Sequence, residues 1–142
     1  MIKIGITGSL ASGKSTVAKI IASKKYPLFD ADKAVKKIYQ TNIFKNKIFK
    51  KFKFKTKKNI KNNIKKKIIK NEKFLKDLEK IIHPIVKNKR NAFLHKHKSV
   101  NIIGLDVPLL YETGTDKICD YVFLVNALES IQRKRVLART LF

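Results

Sequence analysis

The sequence predicts an α/β protein built on a parallel, doubly wound sheet that a block of basic helices interrupts. Three observations predict it. Short β-branched runs alternate with stretches of helical periodicity, an order that favours a parallel sheet over an antiparallel one. The first run stops at a glycine loop that opens into a helix, and a lysine-rich tract with apolar residues four apart separates the second run from the third.

Ile2, Ile4 and Ile6 open the first strand, which stops at Gly8, and Thr16 to Ala22 has helical character. Pro27 to Asp30 is a brief second strand. Ala31 to Tyr39 follows as a helix, with Ala34, Val35 and Ile38 at helical spacing. From Lys33 to Asn71 there is no acidic residue, yet Phe44, Ile48 and Phe52 repeat every four positions, as do Ile60, Ile64 and Ile68. That register predicts amphipathic helices with a solvated lysine face; a disordered basic linker, the alternative, has no reason to keep it. Between Glu72 and His97 one apolar stripe comprises Phe74, Leu75, Leu78, Ile81, Ile82, Ile85 and Val86, and Pro84 is expected to kink that helix or start a new one. Val100 to Val107 and Tyr121 to Val125 are the remaining strands, and Leu128 to Arg139 is the last helix. Residues 1–40 and 99–142 therefore form the expected core and 41–98 a basic helical insertion, with no internal repeat.

The formal charge of +24 invites a nucleic-acid reading, because clustered Lys and Arg are the footprint of phosphate-backbone binding. Lys outnumbers Arg 30 to 4, however, and Ile and Asn are also abundant, the mix expected of an A- and T-rich genome. Arginine, the residue suited to bidentate contacts, is scarce, so no specific nucleic-acid partner is expected. The single Cys119 excludes an intramolecular disulfide. No apolar run approaches the roughly 18 residues of a membrane span and the N-terminus lacks a secretory core, so a cytoplasmic, soluble protein is expected.

Gly8-Ser9-Leu10-Ala11-Ser12-Gly13-Lys14-Ser15 fits Gly-x-x-x-x-Gly-Lys-Ser/Thr between a strand and a helix, the context a phosphate-binding P-loop needs. Glycines let successive N–H groups curl around phosphates, and the helix N-terminus adds a favourable dipole. Lys14 is expected to reach the β- and γ-phosphates of ATP and Ser15 to offer its hydroxyl to Mg²⁺. The nucleotide-contacting set is thus Gly8, Ala11, Ser12, Gly13, Lys14, Ser15 and Thr16. Asp30-Ala31-Asp32 follows the second strand, at the carboxyl edge that carries the loop. Asp32 is placed either to accept a proton from a substrate hydroxyl or to cap the next helix, and spacing alone does not separate the two. His95 and His97, two apart, point to different helix faces and make poor metal ligands.

Taken in order, the loop, Asp30-Ala31-Asp32, then Leu75, Leu78, Glu79, His83 and Pro84, then Pro108-Leu109-Leu110-Tyr111-Glu112, and Gln132, Arg135 and Arg139 resemble the dephospho-coenzyme A kinase family. The resemblance implies a P-loop NTPase fold with a helical substrate-binding insertion. It also implies transfer of the ATP γ-phosphoryl group to the ribose 3′-hydroxyl of dephospho-CoA, the last step of coenzyme A synthesis. Asp32 is then the base, alongside Lys14. The insertion containing His83 builds the coenzyme side, and Asp32, His83, Pro108, Leu109 and Glu112 meet the substrate. Arg135 and Arg139 meet ATP phosphates, or form an exposed helix face. His83 also fits a structural role beside Pro84, and Glu112 a capping one. Asp106 resembles a Walker B acid, although the family does not strongly require one there. The other readings are a different small-molecule P-loop kinase, an inactive kinase fragment, or a basic nucleic-acid module.

Two departures stand out. Ser9 and Ala11 replace the glycines usual in the family loop, so a position needing positive φ is strained. The sequence of 142 residues ends at Phe142, just after Arg139, whereas the resemblance implies a further lid, strand and helix.

Overall fold

The computed structural model describes residues 1–23, 25–54 and 60–140, apart from the side chains at 60, 61, 70, 139 and 140. The chain divides into two compact units, Met1–Asp32 with Arg90–Phe142, and Lys33–Lys89.

The first unit holds the sheet. Strands β1 (Ile2–Gly8), β2 (Leu28–Asp30), β3 (Ile102–Asp106) and β4 (Tyr121–Val125) are all parallel, in the order β2-β3-β1-β4. Non-local pairing puts β1 and β3 in the middle, and there the burial loses the alternation of a one-faced strand: Gly5, Ile6 and Thr7 are buried in succession, as are Ile103 to Asp106. Ile6 stands opposite Asp106, and Asp106 opposite Asp30, so the carboxyl ends of three strands share one edge. Helix α1 (Lys14–Ala22) packs on β3 and β1, burying the small residues Ala18 and Ala22. It starts two residues earlier than its periodicity predicts because Gly13, at φ 98°, turns the chain directly into the first helical residue. The far end of α5 (Glu72–Lys96) reaches β2 through Phe29 and Phe93, whose ring centroids lie 5.6 Å apart. Arg90, on the same stretch and buried, donates from Nη1 to Thr115 Oγ1 at 2.6 Å, fixing the turns after β3. Cys119 is half-buried, its thiol donating to the Thr115 carbonyl at 3.3 Å. Helix α6 (Glu129–Thr140) follows β4.

The described residues of the second unit form helices joined by short connections. It contains most of α2 (Ala31–Gln40), then α3 (Asn42–Phe52), α4 (Ile60–Lys70) and α5 as far as Lys89. The residues four apart converge: Ile38, Phe44, Ile48, Ile64, Phe74, Leu78, Ile81 and Ile82 form one core, and Phe52 and Phe74 lie 4.3 Å apart between centroids. Side chains cap the helices. Thr41 Oγ1 accepts from the Phe44 N–H at 3.3 Å, and Asn71 Oδ1 from the Phe74 N–H at 3.0 Å. The described residues of the acid-free tract are therefore folded rather than a linker, because their apolar register has a core to fill. The position of Ile60's side chain lies outside the described residues.

Of the two outcomes expected at Pro84, the start of a new helix does not occur: it lies inside the single 25-residue α5. A proline there forfeits one backbone hydrogen bond, but apolar residues on both sides of it, Ile81, Ile82, Ile85 and Val86, belong to or pack against the same core and hold the two halves in one helix. Among the described residues no helix is long and apolar enough to cross a membrane.

Candidate functional site

The site forms where β1 runs out. Gly8 has no alternative there: a Cβ would stand 2.3 Å from the Val125 carbonyl oxygen and 2.8 Å from Ser12 Oγ. Five residues later Gly13 takes φ 98° and hands the chain to α1 without any side-chain cap, leaving the first N–H groups of the helix to face an anion. Between them Ala11 sits at φ 58°, the strain expected where alanine replaces glycine. Ser12 Oγ is buried and makes no hydrogen bond to any described residue, an orphaned donor inside the loop.

Lys14 reaches back from α1 to form an ion pair with Asp106 Oδ1. Asp106 is only 2% exposed. Burial pushes its carboxyl above the ordinary value, Lys14 pulls it back through the hydrogen bond and its charge, and Asp30 and Asp32 add to the rise. The third strand thus supplies the loop lysine with its counter-ion.

A pocket of about 680 Å³ opens over this floor. Its lining includes Gly8, Ala11, Ser12, Gly13, Lys14, Ser15 and Thr16 together with Asp32, Pro108, Leu109, Tyr111 and Glu112. Thr7 Oγ1 donates to the Pro108 carbonyl at 2.8 Å, tying the segment after β3 to the end of β1. Asp32 is exposed and is the second residue of α2. The helix begins at Ala31, so Asp32 stands inside the first turn rather than at the cap, and its charge complements the helix dipole there.

Other expected residues fall elsewhere. Arg135 approaches the loop, donating from Nη1 to the Ala11 carbonyl at 3.0 Å. The side chain of Arg139 lies outside the described residues. His83 is half-buried on α5 in the second unit. His95 is exposed, His97 packs on Phe93 at 4.6 Å between rings, and among the described residues no cluster of three His, Cys, Asp or Glu is arranged to hold a metal. Sequence reasoning undervalued Asp106 and gave no role to Gln132, which accepts from Ser9 Oγ at 3.2 Å. An acid closing a buried strand was the available signal for Asp106. Nothing in the sequence marked Gln132 beyond its resemblance to the family.

A parallel β2-β3-β1-β4 sheet whose β1 passes through this loop into a helix, with a paired lysine at its carboxyl edge, defines a P-loop nucleotide-binding protein. Comparison narrows the class. The family model for dephospho-CoA kinase matches residues 2–141. The dephospho-CoA kinase of Fusobacterium nucleatum is 38% identical over 140 residues, covering 96% of this chain and 72% of the relative. That of Zymomonas mobilis is 35% identical over 148 residues, covering 98% and 72%. Among solved structures, TT1252 from Thermus thermophilus superposes with a TM-score of 0.83 at 28% identity, over 99% of this chain and 73% of its own. The dephospho-CoA kinase of Campylobacter jejuni, at 19% identity and a TM-score of 0.54, shares the fold over 97% of this chain and 95% of its own. The chain belongs to the dephospho-CoA kinase family, and its class is that of a kinase. Membership does not favour the reading as another small-molecule P-loop kinase.

Proposed function

We propose that the protein transfers the γ-phosphoryl group of ATP to the ribose 3′-hydroxyl of dephospho-CoA, giving CoA and ADP. The observation that carries the reading is the pocket that the loop, Lys14 and Asp32 line together, in a chain of this family. Phosphoryl transfer asks a protein mainly for positioning and charge. The glycine loop and the N–H groups opening α1 supply oriented donors for phosphate oxygens, and Ser12 Oγ is a further donor available to them. Lys14 offers its ammonium to the β- and γ-phosphates, moving from Asp106 toward the transferring group. Asp32, which lines the same pocket, accepts the proton of the attacking hydroxyl.

In this reading Pro108, Leu109 and Glu112, which line the pocket, meet the acceptor, and the insertion at 41–98, with His83, is a coenzyme-binding element. Arg139 meets the nucleotide phosphates in this reading, and Arg135 belongs to the nucleotide side through its contact with the loop. The donor set suits Mg²⁺, a hard cation: Ser15 has an exposed hydroxyl on the pocket wall, and carboxylates stand nearby. When bound, the ion offsets negative charge on the triphosphate. The same reading makes the protein cytoplasmic, with small-molecule partners. Its lysine-rich surface then binds duplex DNA weakly, without sequence preference and less as salt rises, which a filter-retention assay at two salt concentrations checks.

The deciding experiment is coenzyme A formation from ATP and dephospho-CoA, followed with ADP release. Dephospho-CoA-dependent ADP release is the expected result. ADP release that depends instead on a nucleoside monophosphate, or CoA formation unaffected by Lys14→Ala, overturns the reading.

A further inference from the structure

In the phosphate loop Ser9 and Ala11, the two departures from glycine noted in the sequence, are each met by a polar side chain of α6. Ala11 is held at φ 58°, a left-handed conformation that a Cβ disfavours. Its carbonyl accepts from Arg135 Nη1 at 3.0 Å, across 124 positions of sequence. The same Nη1 stands 3.5 Å from where a Cβ on Gly13 would be, so the guanidinium lies against both left-handed residues of the loop. One turn earlier on α6, Gln132 accepts from Ser9 Oγ at 3.2 Å and donates from Nε2 to the Ala127 carbonyl at 2.6 Å. Residues three apart share a helix face, so the two contacts form one brace.

We propose that Arg135 and Gln132 are positioning residues that hold the phosphate loop in its binding conformation, Arg135 by stabilising the left-handed backbone at Ala11. The inference rests on the ATP reading of the loop and adds a cause for its shape. Returning Ala11 to negative φ swings its carbonyl away from Arg135, so the hydrogen bond and the left-handed backbone stand or fall together. Without the brace, part of the population relaxes into a loop that does not fit phosphate, and the apparent dissociation constant rises in proportion to the competent fraction lost. Glycine at position 11 removes the need for the brace, because it adopts positive φ without a steric penalty.

That dependence separates positioning from direct contact with the nucleotide. ATP affinity is measured by calorimetry for the unaltered protein, Arg135→Ala, Ala11→Gly and the double variant, with thermal melts of all four. Arg135→Ala should weaken ATP binding about five- to tenfold with alanine at 11 and less than about twofold with glycine there. Arg135→Lys, which keeps the charge but loses the planar fork, guards against a folding defect and should show a smaller loss with the same dependence on residue 11. Gln132→Leu should weaken binding while Gln132→Glu, which still accepts from Ser9, keeps part of it. Equal losses with alanine and with glycine at position 11 would show that Arg135 acts on the nucleotide itself, and no loss with either would show an idle contact; both overturn the proposal while leaving the ATP reading intact. Absence of ATP binding by the unaltered protein would overturn both together.

Discussion

Lys14 and Asp106 form an ion pair on the pocket floor, the first residue of α1 with the last of β3, and both are largely removed from water. For Asp106 burial outweighs the pair, so its folded-state carboxyl titrates above its unfolded value. The sign follows from linkage: between those two values the folded state binds the extra proton, and stability falls as pH rises. The unfolding free energy of the natural protein, minus that of Asp106→Asn, should therefore decrease as pH rises from the ordinary carboxylate range through the folded value. Melts of both proteins across mildly acidic pH check this. A difference that grows with pH would show that the lysine, not burial, governs the acid.

Lys14→Ala removes the cation from the pocket and leaves Asp106 buried without its counter-ion. Catalysis should fall by about 10²- to 10³-fold, the scale of losing one charge-stabilising donor in a transition state. ATP binding should weaken as well. Rates of CoA formation and a calorimetric titration with ATP measure the two effects, and equal values for both proteins would remove the lysine from the reaction.

Asp32→Asn keeps the shape of the first turn of α2 and removes only the basicity. The rate should fall about 10²- to 10⁴-fold, the usual contribution of a general base, while ATP affinity changes little. Asp30→Asn, altering the residue that ladders with Asp106, is the comparison. A harmless Asp32→Asn beside a crippling Asp30→Asn would exchange their roles.

Gly8→Ala tests the close approach between the loop and β4. The new methyl meets the Val125 carbonyl at 2.3 Å, a backbone atom that cannot swing aside like a side chain. Overpacking of this kind costs about 1–3 kcal/mol, so the melting temperature should drop, and nucleotide binding should fall with it. An unchanged melt would mean that the strand end yields more readily than a parallel sheet normally does.

The loop was legible in the sequence because its chemistry constrains residue type at fixed spacing: Gly8, Gly13, Lys14 and Ser15 each answer a separate geometric demand. The lysine-rich helices were legible for a different reason, since Phe44, Ile48 and Ile64 repeat with the period of the structure that buries them. Asp106 as the partner of Lys14 was not, because the pairing needs β3 beside β1, and strand order is settled by contacts 92 residues apart rather than by any local pattern. The continuity of α5 through Pro84 was hidden likewise, since local propensity argues for a break and only the shared core argues against it. At Ala11 the sequence showed a small residue in a glycine's place, but neither its φ nor Arg135 behind it.

The helical unit from 33 to 89 carries twenty-one lysines against Glu72, Asp77 and Glu79, and the described pairs Lys76–Glu72 and Lys80–Asp77 are near neighbours on one helix, with Asp77 half-buried. Its Phe- and Ile-lined interior is therefore assembled against the mutual repulsion of its own surface, in the manner of a collapsed polyelectrolyte. Counter-ions become part of its stability. Dilute buffer should loosen the unit, and added salt, by shortening the reach of that repulsion to about 8 Å at physiological strength, should tighten it. Ionic strength would then raise the melting temperature, the reverse of what a surface knit by ion pairs shows, and multivalent anions should do so at far lower concentration than chloride.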